Sequence, residues 1–114
     1  MKNGVPEIGD VWWMRLESVV GHEQGGSYPR PVVVLSHYEH NGPAQRIVAV
    51  PCTSKIRGFS TEIPVSALPK PCVALIDQIT TLDWVARRGE FREERIAQPE
   101  LDAIRRSLKA FLMM

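Results

Sequence analysis

Residues 21–36, GHEQGGSYPRPVVVLS, join two pieces of chain with opposite physical character. The first piece sets Gly21, Gly25, Gly26 and Pro29 around His22, Glu23, Gln24 and Ser27, a polar loop able to carry exposed chemistry. The second is Val32, Val33, Val34 and Leu35, an unbroken aliphatic run of the kind found in strands covered on both faces. Arg30 stands at the junction, and Pro31 holds it extended and starts the strand. A cation at the mouth of a rigid strand, beside a polar loop, is placed to grip an anion. A lone arginine there is more often an ordinary surface residue, so the rest of the chain must decide.

Working outward, further β segments frame this one. Upstream, Gly9-Asp10 reads as a turn feeding a strand from Val11 to Leu16, whose Trp12 and Trp13 point to opposite faces. One indole belongs to the core, and the other covers a groove or a partner surface. Downstream, the strand from Arg30 to Tyr38 meets Asn41-Gly42, a hairpin-turn signal, and returns as RIVAVPC. Pro51 is expected to end its pairing, leaving Thr53 and Ser54 just beyond the strand. Two hydroxyls there either cap the following turn or donate to a bound phosphate, and the spacing leaves both open. Lys55 and Arg57 mark a basic connection into TEIPV, an edge strand by its Pro64. A further strand, CVALI, runs into DQITTLDW, where Asp77 and Gln78 interrupt the apolar run. A carboxylate within a strand needs a partner or a groove.

Charge-dense residues 85–95 combine a turn with the start of a last short strand. The one expected helix begins at Pro99, with Glu100 and Asp102 in its first turn and Arg105, Arg106 and Lys109 toward its end. Its apolar stripe is Leu101, Ile104, Leu108, Phe111 and Leu112.

The totals fit a single domain spanning residues 1–114, mainly β with a C-terminal helix. Fourteen basic and thirteen acidic residues give a net charge of +1, so any anion-binding patch has to be assembled by the fold. Cys52 and Cys72 lack metal-ligand spacing and read as free thiols of a reducing compartment. No metal site or cofactor is expected. The start carries no signal-peptide pattern and no run reaches the length of a membrane span, which points to a cytoplasmic protein without membrane association.

GDVWWM, GHEQGGSYPRPVVVLS, VPCTS and LIDQITTLD, in this order and before a C-terminal helix, resemble the MazF/PemK family of toxin endoribonucleases. The resemblance runs from about Gly9 to the last helix. It implies an SH3-like small barrel of antiparallel strands, a homodimer, a cognate antitoxin protein as partner, and metal-independent, sequence-specific cutting of single-stranded RNA. In such cutting the ribose 2'-oxygen attacks the phosphorus, leaving a 2',3'-cyclic phosphate and a 5'-hydroxyl. The family's arginine before proline falls on Arg30 and its strand-end threonine on Thr53. Both would stabilise charge on the phosphorane. Glu23 is the nearest proton acceptor, with His22 as its alternative, while Ser54, Lys55, Arg57, Asp77 and Gln78 would contact or support the RNA. Thr80 and Leu75 stand where some members carry arginines, so the catalytic charge falls more heavily on Arg30. Two other readings share this fold: a toxin that poisons DNA gyrase by binding, and a non-catalytic interaction module.

Overall fold

The computed structural model describes residues 1–16 and 28–114. Seven strands carry the fold: β1 (Asp10–Met14), β2 (Arg30–Val34), β3 (Arg46–Thr53), β4 (Glu62–Val65), β5 (Cys72–Leu75), β6 (Thr80–Asp83) and β7 (Glu90–Arg95). Two helices accompany them, α1 (Tyr38–Ala44) and α2 (Gln98–Leu112). Every pairing between strands is antiparallel, in the order β4-β5-β3-β2-β1-β7, with β6 also on β3. The sheet curls into a half-barrel, the small antiparallel barrel expected from the sequence.

The valine run explains the centre of the sheet. β2 lies between β1 and β3, and its residues alternate between two apolar clusters. Val33 packs with Val11, Val50, Ile76 and the α2 residues Leu101 and Ile104. Val32 and Val34 pack on the other face with Trp12, Met14, Ile47 and Leu82. A strand covered on both faces has to be apolar at every position, which is why it shows no alternation.

Around this frame the chain departs from the sequence reading in several places. β2 ends at Val34, well short of Tyr38, because the Ser36 side chain takes over the ladder: its Oγ accepts the Val48 amide at 2.9 Å. EHNGPAQ forms a helix instead of a hairpin turn. His37 caps it by accepting the Glu39 amide through Nδ1, and Gln45 closes it at φ +55°. Tertiary bonds override the Asn-Gly turn signal there. Buried Asn41 donates to the carbonyls of Pro6 and Ser36, and its own carbonyl accepts the Trp84 indole N–H. Pro51 does not end β3, which continues to Thr53. Val48 turns its amide and carbonyl toward the β2 side, so position 51 faces the opposite edge. Along that edge the pairing with β6 stops at Ala49 and the pairing with β5 starts at Cys52, so the missing N–H of Pro51 costs no ladder bond. Finally, Asp77 is not inside a strand. It is exposed on a 3-10 turn, Ile76–Gln78, between β5 and β6.

Among the described residues the carboxylate that is fully buried is Asp10, the first residue of β1 rather than a turn residue. It accepts the Glu7 amide at 2.9 Å and the Trp12 indole N–H at 3.3 Å, and it pairs with the Arg95 guanidinium. α2 docks through Leu101 and Ile104, and the Glu100 carboxylate ties its start to the end of β4 by accepting the amides of Ala97 and Ser66. The outer end of its stripe, Phe111 and Leu112, stays exposed.

Candidate active site

Two cavities meet at Thr53. The larger, about 410 Å³, is bordered by Arg30, Thr53, Ser54, Lys70 and Trp13, with Cys52 and Cys72 in its wall. The smaller, about 170 Å³, is bordered by Thr53, Lys55, Arg57, Leu75, Asp77 and Gln78. β3 ends at this shared wall, its pairing with β5 closing at Thr53 against Val73. All the expected site residues among the described ones therefore come together around one threonine. His22 and Glu23 lie outside the described residues.

Arg30 opens β2 opposite Met14, exposed at the rim, with Pro31 directly behind it. Register on β1 fixes its backbone, and among the described residues its side chain has no hydrogen-bond or ion-pair partner. The Thr53 hydroxyl oxygen accepts the Lys55 amide at 3.1 Å. Thr53 thus shapes the turn, the first of the two roles the sequence left open, and this bond does not use its hydroxyl proton.

Lys70 is the site residue the sequence reading passed over. It lines the cavity between Pro69 and Pro71, whose rings restrict its backbone, and that spacing was the available signal. With Arg30 it gives the larger cavity two cations, and no carboxylate appears among its described lining residues. That donor set suits a phosphate. The smaller cavity is mixed, with Lys55 and Arg57 facing Glu62 and Asp77, and so offers both donors and acceptors of the kind that read base edges. Leu75 forms part of its wall, and Thr80 is exposed at the start of β6. Burial pushes the Cys52 thiol up to about 12 and likewise raises Cys72, which disfavours the thiolate at both.

Further along the basic connection between β3 and β4, one side chain holds two adjacent amides. Glu62 accepts the amides of Arg57 and Gly58, at 3.1 and 2.8 Å, and Gly58 adopts φ +85°, a conformation costly to any residue with a Cβ. Glu62→Ala is expected to speed hydrogen exchange at the Arg57 and Gly58 amides by about tenfold, the value of one charge-assisted bond, with little change in global stability. Unchanged exchange at both amides would show that the loop is held by something else.

Comparison with known proteins adds to this geometry. A family model described as PemK-like, MazF-like toxin of type II toxin-antitoxin system matches residues 7–112. The endoribonuclease toxin MazF of Escherichia coli K12 is 33% identical over 108 residues, covering 95% of each chain. The endoribonuclease PemK of Escherichia coli is 30% identical over 111 residues, covering 93% of this chain and 81% of its own. Among solved structures, a MazE-MazF crystal structure from Deinococcus radiodurans superposes with a TM-score of 0.86 at 34% identity, over 96% of this chain and 97% of that one. MazF alone from the same organism gives 0.83 at 35% identity, over 96% and 98%.

Proposed function

Since the chain belongs to the PemK-like, MazF-like family of toxins of type II toxin-antitoxin systems, we propose that it cuts single-stranded RNA at the Thr53 site. Its relatives are named endoribonucleases, and none of those reported favours a gyrase poison or a passive interaction module. The observation that carries the reading is the larger cavity, where two cations and the hydroxyls of Thr53, Ser54 and Tyr28 surround a space lined by no carboxylate among the described residues.

Arg30 offers a planar fork of donors to the non-bridging oxygens, and Thr53 adds its hydroxyl proton. Charge on these oxygens grows as the 2'-oxygen bonds to phosphorus, so the two donors hold the transition state more tightly than the substrate. Lys70 and Ser54 steady the neighbouring backbone. A guanidinium does not deprotonate in proteins, so the 2'-hydroxyl proton goes to another group. Glu23 takes it, with His22 as the second candidate. As the P–O5' bond breaks, the departing oxygen takes up the proton that the base accepted, directly or through water, leaving a 2',3'-cyclic phosphate and a 5'-hydroxyl. With cations of the chain itself neutralising the phosphate, this scheme requires no divalent metal and no cofactor. Asp77, Gln78, Lys55 and Arg57 line the smaller cavity and take the next nucleotide.

The protein acts in the cytoplasm as a homodimer, and a cognate antitoxin protein restrains it. The exposed Phe111 and Leu112 at the end of α2 are apolar surface of the kind that contact between copies would cover. Among the described residues no helix is long and apolar enough to cross a membrane.

The test is incubation of the purified protein with a long unstructured RNA in excess EDTA. Discrete cuts ending in cyclic phosphate are expected. Intact RNA after incubation with the folded protein, freed of any antitoxin, would overturn the assignment.

A further inference from the structure

Three tryptophans occupy three different environments. Trp12 is 3% exposed, in edge contact with Trp84 at 5.6 Å and stacked on Phe91 at 5.9 Å, so its ring is spent on the core. Trp84 gives its N–H to the Asn41 carbonyl at 2.8 Å and packs against the same cluster. Trp13 alone lines a cavity together with Arg30, Thr53 and Lys70.

Its indole is fixed before any ligand arrives. The N–H donates to Glu94 Oε1 at 2.6 Å, which satisfies the ring's one polar atom without help from a ligand. The Arg92 guanidinium lies 4.4 Å from the ring centroid and is itself paired with Glu90. Arg92 and Glu94 both come from β7, on one flank of β1. The cavity opens on the other flank, toward β2 and β3. The ring is therefore held from the β7 side, packs against the buried cluster of Val11 and Val33, and borders the cavity.

We infer that Trp13 is the stacking wall of the larger cavity, against which one unstacked base of the RNA lies while Arg30 and Lys70 hold adjoining phosphates. This rests on the endoribonuclease reading and deepens it by naming a residue that binds and positions the substrate. Cations for the backbone beside an aromatic face for the base is the arrangement by which proteins hold single strands. An apolar side chain of a protein partner would gain from the indole but would leave two cations in the same cavity without an anion. A ring already locked by Glu94 and Arg92 loses little freedom on binding, so most of the stacking energy reaches affinity. Because Thr53 borders both cavities, a base on Trp13 places the following phosphate beside Thr53 and the next nucleotide toward Asp77 and Gln78.

The experiment uses the full chain and an RNA spanning its mapped cut site, with a 2'-O-methyl group at the attacking position so that binding is read without cutting. Trp13→Leu is expected to weaken binding about 10- to 100-fold, the range for loss of one stacked base, and to raise KM far more than it lowers kcat on unmodified RNA. Trp13→Phe, which keeps a ring, should lose no more than a few-fold. RNA should quench the wild-type tryptophan fluorescence, and the quench should vanish in Trp13→Phe although Trp12 and Trp84 remain. A Trp13→Leu protein with a wild-type melting curve that binds RNA as tightly as wild type overturns the inference. So does a quench that survives in Trp13→Phe, which decides the matter even if the leucine variant fails to fold. A loss confined to antitoxin affinity, with RNA affinity unchanged, overturns it too. If the wild-type chain neither binds nor cuts RNA, the endoribonuclease reading falls first. If it cuts normally and only the Trp13 effects are missing, the stacking role alone is wrong.

Discussion

Arg30→Ala is expected to lower the rate of RNA cleavage by about 10²–10³-fold, the usual cost of removing one donor aimed at developing negative charge. The loss should fall mainly on kcat. Lys70 and the second cavity still hold the RNA in the ground state, whereas the guanidinium fork is matched to oxygens that gain charge only as the 2'-oxygen attacks. Arg30→Lys should recover little, because an ammonium cannot reproduce two parallel donors. Stability should not follow activity. Arg30 is exposed, and neither apolar cluster includes it, so its removal belongs with surface substitutions, within about 0.5 kcal/mol. Single-turnover cleavage beside a thermal melt checks both statements. Wild-type kcat in the folded variant would remove Arg30 from the chemistry.

How far these conclusions could be read from the sequence depended on the range of the forces involved. The valine run gave β2 directly, since burial on both faces leaves only apolar residues. Pro64 marked β4, which does lie at the end of the sheet, and Pro99 marked the start of α2. The site was legible in its parts, as Arg30 and Thr53 each sit where a strand begins or ends. What was illegible was set at long range. Asn-Gly at positions 41–42 has a strong local preference for a hairpin turn, but Asn41's long-range hydrogen bonds with Pro6 and Trp84, with a local one to Ser36, outweigh it. The suspicion directed at Asp77 belonged to Asp10. From sequence alone Gly9-Asp10 is an ordinary turn, because its partner Arg95 is 85 residues away. Lys70 escaped notice for a related reason: only the fold of the β4–β5 connection over the end of β3 brings it beside Arg30.

Asp10→Ala is expected to destabilise the fold by about 3 kcal/mol, at the lower end of the range for breaking a buried ion pair. The carboxylate is fully buried, and its removal strands the Glu7 amide and the Trp12 indole N–H without an acceptor, each costing about 1–3 kcal/mol when buried. Arg95 moderates the loss, being about half exposed and also donating to the Ile8 carbonyl, so water can take over part of its pairing. Asp10→Asn keeps an acceptor for the two N–H groups and should cost less than half as much. The melting temperature of the alanine variant should fall on the order of ten degrees, and its denaturant midpoint should drop with an unchanged slope. Activity at low temperature should persist. Asp10 lies at one end of β1, while Arg30 pairs with Met14 at the other, so the site keeps its geometry as long as the sheet is folded. A melting curve unchanged by Asp10→Ala would mean that the buried charge network contributes nothing net. Lost cleavage in the folded variant at low temperature would mean instead that the network sets the geometry of β1 as far as the catalytic end.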